Sequence, residues 1–168
     1  MGLFKQLALK KDAVFDKWFA RVIDTYPDET ARFLRSQKDA FSNPVGQATV
    51  TGLKKLIDLL DGEPDTNAAK KAIDPIVRIR AVQNFTPSQA IRFVFDLKSL
   101  IRAMAPADRQ ASREMVVIDN RIDELALLAF DLYMSCREKI YDLTANETKK
   151  RTYSAFARAG LIKESGDE

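Results

Sequence analysis

A long stretch without helix-breaking residues constrains the fold of this chain more than any other feature. Residues 109–143 contain neither glycine nor proline, and apolar side chains recur through them at intervals of three and four residues. As an α-helix, this stretch of about 35 residues would be roughly 50 Å long. A compact domain formed by 168 residues is narrower than that. The sequence therefore predicts a long C-terminal helix that reaches beyond its own globule.

Two apolar stripes follow this predicted helix. We take the first as the candidate dimer stripe, and it consists of Ile118, Ile122, Leu125, Ala129, Leu132, Cys136 and Ile140. The second comprises Ala126, Phe130 and Tyr133 and continues into the polar Arg137. One helix with two apolar stripes can serve two partners, so we expect one stripe to face the protein's own core and the other a second copy. A homodimer is the predicted assembly.

Shorter helical patterns precede the long one, and no segment shows the alternation typical of a β-strand. The strongest start signal is the sequence Thr-Pro-Ser-Gln at residues 86–89. A threonine N-cap, a proline at the first helical position and a glutamine three residues after the cap predict a capping box. The helix that begins there is expected to run to Met104 and to be the central helix of an all-α bundle, because it is apolar around most of its circumference.

Two residues inside the other helical patterns leave alternatives open. Pro75 interrupts the pattern of residues 65–84, where it either kinks one helix or lets Asp74 cap a second one. Gly52 costs its helix about 1 kcal/mol relative to alanine, which the close approach of a ligand or, as we favour, of a neighbouring helix would offset. In either case we expect a single domain over residues 1–160 and a disordered acidic tail over residues 161–168.

Histidine is absent from the sequence, which removes several classes of site at once. Ser-His catalytic triads, His-ligated haem and His-containing zinc sites all require an imidazole. The sequence contains no P-loop, no GxGxxG and no CxxC motif, and its single cysteine cannot form an internal disulfide. We expect no enzymatic activity, no cofactor and no metal.

Charge and hydropathy favour a cytoplasmic protein that binds no nucleic acid. The net charge is +3, but lysine and arginine are interleaved with aspartate and glutamate along the whole chain, as on an ordinary solvated surface. No stretch approaches the roughly 20 apolar residues of a membrane span. The apolar part of the N-terminal segment is also too short for a signal peptide.

One polar group follows the apolar face of the helix before residue 86. It consists of Arg80, Gln83, Thr86, Ser88 and Gln89. Continuing the apolar face from Val77 leads to Arg80, and a buried guanidinium needs a bonding partner. Two interpretations remain open: an ion pair with an acidic residue of the long helix, or a small polar pocket at the helix start that holds an anion.

Several motifs together resemble a known family. They are Asn-Pro-Val-Gly at residues 43–46, Ile-Arg-Ala-Val-Gln at 79–83, Phe-Thr-Pro-Ser-Gln-Ala at 85–90, Phe-Val at 93–94 and Leu-Lys at 97–98. In this combination, over about residues 10–155, the chain resembles the N-terminal domain of RsbR/RsbRD-type RsbT co-antagonist proteins of bacterial stressosomes. Residues 131–138, together with Asn146 and Glu147, are similar to stand-alone and kinase-linked members of that family.

This resemblance implies an all-α, globin-like sensor domain without haem that dimerises through its long last helices. It also implies signal transduction through contacts with a regulatory protein or a kinase. In stressosome proteins a STAS domain follows the last helix, whereas we expect this chain to act without one. The predicted function is a non-enzymatic signalling module. The alternative is a protein that binds a small apolar or anionic ligand between the helices that carry Trp18, Gly52 and Phe93.

Overall fold

The computed structural model describes residues 2–36, 41–83 and 85–162, and every regular element within these ranges is an α-helix. The helices are α1 (Leu3–Leu9), α2 (Lys11–Ile23), α3 (Asp28–Ser36), α4 (Pro44–Leu59), α5 (Thr66–Val82), α6 (Pro87–Met104) and α7 (Arg109–Arg158). The predicted all-α class with a long C-terminal helix is confirmed. In the described part of the chain, no helix is both long and apolar enough to cross a membrane. The predicted tail lies outside the described residues from position 163 onward.

Helix α6 begins as the sequence predicts. Oγ1 of Thr86 accepts a hydrogen bond from the backbone N–H of Gln89, and Oε1 of Gln89 accepts one from the backbone N–H of Thr86 at 2.9 Å. Asn43, Asp65 and Asp108 cap α4, α5 and α7 by accepting from the backbone N–H three residues later. Each cap satisfies a backbone donor that no helical hydrogen bond reaches, so local sequence determines where these four helices start.

Helix α7 continues past the uninterrupted stretch of residues 109–143 to Arg158. The chain then turns at Gly160, whose φ of 68° glycine adopts without strain. Its 50 residues correspond to a length of about 75 Å. The buried residues of α7 lie between positions 111 and 133, whereas every residue from 141 to 156 is exposed. One half of α7 therefore packs in the bundle and the other half projects from it.

The bundle is organised around α5 and α6. Helix α6 lies between α2 and α7 and also contacts α5, which in turn packs on α4 and α7. Gly52 of α4 faces α5, where an added Cβ atom would lie 2.5 Å from the carbonyl oxygen of Ala72. The glycine therefore serves the approach of a neighbouring helix, as favoured from the sequence.

Pro75 lies inside α5, which is one helix from Thr66 to Val82. The first of the two alternatives left open by the sequence is therefore the observed one. Asp74 starts no second helix and instead forms an ion pair with Arg78, one turn later, at 3.0 Å.

The first apolar stripe of α7 packs inside the chain's own bundle, which corrects part of the dimer prediction. Ile118, Ile122 and Ala129 are fully buried and Leu125 is 9% exposed, so a second copy cannot reach these four side chains. The physical reason is that α5 and α6 together cover a broad face of α7. The later members of the stripe are half-buried, and they are Leu132, Cys136 and Ile140. Ala126 and Tyr133 of the second stripe are also buried.

Candidate functional site

Arg80 is fully buried, and no other charged side chain among the described residues is buried in this way. Its Nη2 donates to the carbonyl oxygen of Val22 at 3.2 Å and to Oγ1 of Thr25 at 3.0 Å, and its Nη1 donates to the carbonyl oxygen of Gln89 at 3.3 Å. Nε has no hydrogen-bond partner in the described part of the chain. No described carboxylate forms an ion pair with Arg80, so the predicted ion pair with the long helix is wrong.

Three aromatic rings surround the Arg80 guanidinium. Its central carbon lies 4.9 Å from the ring centroid of Phe85 and 5.3 Å from those of Tyr26 and Phe93. Burial lowers the pKa of Arg80 from its ordinary value, while Tyr26 and Asp96 act in the opposite direction. An arginine stays protonated under these conditions. The charge is therefore balanced by ring faces and carbonyl dipoles instead of an anion.

An open cleft of about 630 Å³ lies beside this cation, where the end of α2, the end of α5 and the start of α6 meet. The lining residues are Thr25, Tyr26, Pro27, Thr30, Gln83, Phe85, Gln89 and Arg92. Half of them contact Arg80 directly, which places the guanidinium immediately behind the cleft wall. The described lining residues include no aspartate or glutamate, and the volume of the cleft is typical of a small-molecule site. Hydroxyls, amides, rings and a second guanidinium are groups that recognise and orient a ligand.

The structure brings together only part of the polar group predicted from the sequence. Arg80 lies behind the cleft, whereas Gln83 and Gln89 line it. Oε1 of Gln83 is buried and has no partner among the described residues. Thr86 and Ser88 serve the helix start, with their hydroxyl oxygens 3.3 Å apart, and do not line the cleft.

Sequence reasoning missed six of the eight lining residues, and one of the two pockets that it considered lies elsewhere. Thr25, Tyr26, Phe85 and Arg92 carry no local signal that would connect them, because Thr25 is 55 residues from the arginine that it contacts. The expected pocket between α2, α4 and α6 differs from the observed cleft, since Trp18 and Leu53 on those helices are fully buried core residues.

Two hydrogen bonds join the segment beside the cleft to α7. Oη of Tyr133 donates to the carbonyl oxygen of Phe85 at 3.2 Å, and Nη1 of Arg137 donates to that of Ala81 at 2.9 Å. Nη2 of Arg137 also donates to Oη of Tyr141 at 2.8 Å, and its guanidinium lies over the Tyr141 ring. The C-terminal end of α5 and a wall of the cleft are thus bonded to α7 at the point where α7 leaves the bundle.

An apolar stripe that shares only Phe130 with the two predicted stripes remains uncovered on α7. We call it the outer stripe, and it consists of Leu127, Phe130, Met134 and Tyr141. Leu127, Phe130 and Tyr141 are 67%, 43% and 59% exposed, and Met134 is half-buried. At about 100° per residue, the four side chains lie within roughly 60° of one another around the helix. Their spacing of three, four and seven residues is that of a coiled-coil seam.

One comparison with known proteins identifies a family. Residues 12–148 match the RsbT co-antagonist protein RsbRD N-terminal domain. An uncharacterized protein of Archaeoglobus fulgidus is 28% identical over 144 residues, which cover 83% of this chain and 85% of that protein. No solved structure matches the chain significantly.

Proposed function

The chain belongs to the RsbT co-antagonist protein RsbRD N-terminal domain family, a stressosome-type regulatory family, and on this basis we propose that it is a non-enzymatic signalling module that works as a homodimer in the cytoplasm. The globin-like fold that the resemblance implied fits this family. Its partners in the proposal are a second copy and a regulatory protein or kinase, as is expected of a stressosome-type domain. A change in the bundle would reach them through α7.

The observation that carries the proposal is the division of α7 into a packed half and a projecting half. Packing of an apolar face supplies most of the stability of helices in proteins, and every residue from 141 to 156 is exposed, so this half gains such stability only from a partner. It carries exposed aromatic and aliphatic side chains at Tyr141, Leu143, Tyr153 and Phe156. At about 100° per residue, Tyr141 and Phe156 lie on the same side of α7 as the outer stripe, so a second copy that pairs there would cover them, whereas Leu143 lies on the opposite side.

The outer stripe supports pairing on one defined face of α7. It begins on the bundle at Leu127 and continues to Tyr141 on the projecting half, so one partner helix could cover it without interruption. An isologous dimer needs a self-complementary surface, and an apolar stripe meets that condition. In this arrangement the four buried residues of the first predicted stripe stay in the core, and the outer stripe replaces them as the dimer surface.

The contacts of Tyr133 and Arg137 provide the route by which the bundle would act on the paired helices. Both side chains bind backbone carbonyls at the junction of α5 and α6, and Arg137 also holds Tyr141 of the outer stripe. A shift of this junction therefore pulls on α7 beside the proposed dimer contact. This is a continuous chain of physical contacts, and coupling through it requires that the junction have two arrangements.

Sedimentation equilibrium on matched variants tests the dimer. The full chain is expected to sediment as a dimer from about 1 to about 100 μM, and Phe130→Glu is expected to be monomeric, because a buried carboxylate without a partner is very costly in an apolar seam. Val117→Glu is the control. Val117 is exposed to the same extent as Phe130, 43%, but lies about 140° away around α7.

Either of two results would count against the proposal. A wild-type chain that is monomeric over the whole range has no paired helix through which to signal. Equal disruption by Phe130→Glu and Val117→Glu would remove the assignment of the dimer contact to the outer stripe.

A second candidate function is the binding of a small molecule. The observation that favours it is the cleft of about 630 Å³ with a buried cation behind its wall. The two candidates are compatible, because a ligand in the cleft would contact Phe85, whose carbonyl oxygen is bonded to α7.

A further inference from the structure

Arg80 carries a buried positive charge that lacks a counter-ion among the described residues. Arg80 is fully buried and is paired with no carboxylate among the described residues. Its Nε also lacks a hydrogen-bond partner there. Ring faces and carbonyl dipoles carry no net charge, so the positive charge of Arg80 still acts on its surroundings, and a low-dielectric interior screens it less than water screens an exposed arginine. The cleft is the nearby space in which an anion would feel this charge, with only Thr25, Tyr26 and Phe85 between the cleft and the guanidinium.

The chemistry of the cleft wall also favours an anion. Arg92 adds a second guanidinium to the lining, and it is exposed and forms no ion pair among the described side chains. The hydroxyl of Thr30 and the amide of Gln83 can donate hydrogen bonds to an anion, whereas the Thr25 hydroxyl already donates to the carbonyl oxygen of Val22. No carboxylate among the described lining residues would repel an anionic group.

The rings of Tyr26 and Phe85 indicate that the ligand also has an apolar part. They meet edge to face with centroids 5.4 Å apart, and both line the cleft. Their surfaces offer an apolar wall beside the polar groups, as in most sites that bind small organic molecules. A simple inorganic ion would leave this wall uncovered.

We infer that the cleft beside Arg80 binds a small organic anion, with its carboxylate or phosphate group toward Arg92 and the Thr25 side of the cleft and its apolar body against Tyr26 and Phe85. The inference rests on the second candidate function, because it names the class of ligand that the cleft takes. Arg80 contributes its charge from behind the wall and helps to hold Thr25 and Gln89 in position.

Isothermal titration calorimetry of the full chain with three small probes tests this inference. Benzoate and phenyl phosphate carry the two anionic groups on the same ring, and benzamide is the neutral control. Saturable binding of at least one anion with a Kd below about 1 mM is expected, with benzamide at least about tenfold weaker. The comparison of benzoate with phenyl phosphate distinguishes a carboxylate site from a phosphate site.

Variants locate the binding. Arg92→Ala and Gln83→Leu are each expected to weaken anion binding about tenfold or more, whereas Arg113→Ala, an exposed arginine on α7 away from the cleft, is expected to leave it unchanged. Arg80→Gln is expected to abolish binding if circular dichroism finds it folded. The comparison of charged and neutral probes decides the question even if that variant does not fold.

The results separate this inference from the function on which it rests. Equal binding of benzamide and benzoate would overturn the inference and leave small-molecule binding in place. No saturable binding of any probe up to about 10 mM would remove both. Equal weakening by Arg92→Ala and Arg113→Ala would mean that the anion binds outside the cleft, which also overturns the inference.

Discussion

The indole Nε1 of Trp18 donates a hydrogen bond of 2.7 Å to the backbone carbonyl oxygen of Phe93. Both residues are buried, and their rings stack with centroids 6.2 Å apart. The contact joins α2 to α6 in the centre of the core. The contact also supports the site, because the Phe93 ring that it holds lies next to Arg80. The guanidinium carbon of Arg80 is 5.3 Å from the Phe93 ring centroid.

Trp18→Phe is expected to lower the free energy of unfolding by about 2 kcal/mol or more. The smaller ring leaves a cavity, and the change removes the donor to the Phe93 carbonyl. Urea unfolding followed by circular dichroism measures the loss, since Trp18 is the only tryptophan and its fluorescence disappears with it. The control is Phe95→Leu on α6, the helix of Phe93, at a 44% exposed position, where a change below about 0.5 kcal/mol is expected. Equal effects of the two changes would contradict the central position of Trp18.

Gly52→Ala is expected to destabilise the protein by about 1–3 kcal/mol although alanine is the better helix former. The new Cβ would lie 2.5 Å from the Ala72 carbonyl oxygen and 2.8 Å from Cδ1 of Ile76, so α4 and α5 would have to separate. Gly62→Ala is the matched control, because no atom lies within 4 Å of its added Cβ and its φ is not positive. Urea midpoints of the two variants measure the difference. A stabilising Gly52→Ala would show that the helices can separate at little cost.

The attachment of α1 to α7 is expected to weaken in acid. Glu114 accepts hydrogen bonds from Nε2 of Gln110 at 2.7 Å and from the backbone N–H of Phe4 at 3.0 Å, and these bonds lower the pKa of Glu114 below its ordinary value of 4.5. Because the folded-state pKa is the lower one, the stabilisation is complete above pH 4.5 and is lost as the pH falls through the depressed pKa.

Glu114→Gln isolates this effect from other acid transitions. The stability difference between wild type and variant is expected to be below about 1 kcal/mol near neutral pH, because solvent reaches the carboxylate, and to shrink below pH 4.5. Urea midpoints at a series of pH values measure it, and hydrogen exchange at the Phe4 amide reports the local contact. A difference that stays constant down to low pH would contradict the assignment.

The sequence alone predicted the features that depend on neighbouring residues. The start of α6 at Pro87 followed from Thr86 and Gln89, whose side chains reach only three residues along the chain. The burial of Phe93 in the central helix followed from apolar periodicity. The absence of interruption in residues 109–143 likewise predicted the existence of α7, whereas its end at Arg158 was not determined, since the apolar pattern weakens where the helix leaves the bundle.

Contacts between residues that are far apart in the sequence could not be predicted in this way. Arg80 was recognised as a residue that must turn inward, but its partners Val22 and Thr25 are 58 and 55 residues away. The sequence could not distinguish these partners from an acidic residue of α7. The wrong assignment of the dimer stripe has the same cause. Periodicity identified the apolar faces of α7, but the placement of α5 and α6 determines which face is covered and leaves Leu127 and Phe130 exposed.

Hydrogen exchange along α7 is expected to depend on pairing. In residues 141–158 every side chain except that of the half-buried Ala157 is exposed, and the local support is limited to weak contacts such as the ion pair between Arg151 and Glu147 at 2.7 Å. These contacts cannot keep a single helix closed, so its amides exchange quickly in a monomer. In a dimer the same amides are protected.

Protection of residues 144–156 should therefore rise with protein concentration and be lost in Phe130→Glu. Residues 118–133, which contain the buried side chains Ile118 and Ala129, are expected to stay protected in both the wild type and the variant. Mass spectrometry of exchanged peptides measures the two segments in one experiment. Strong protection of residues 144–156 in a monomeric variant would mean that the projecting half is stable alone, and the structural reason for pairing would be lost.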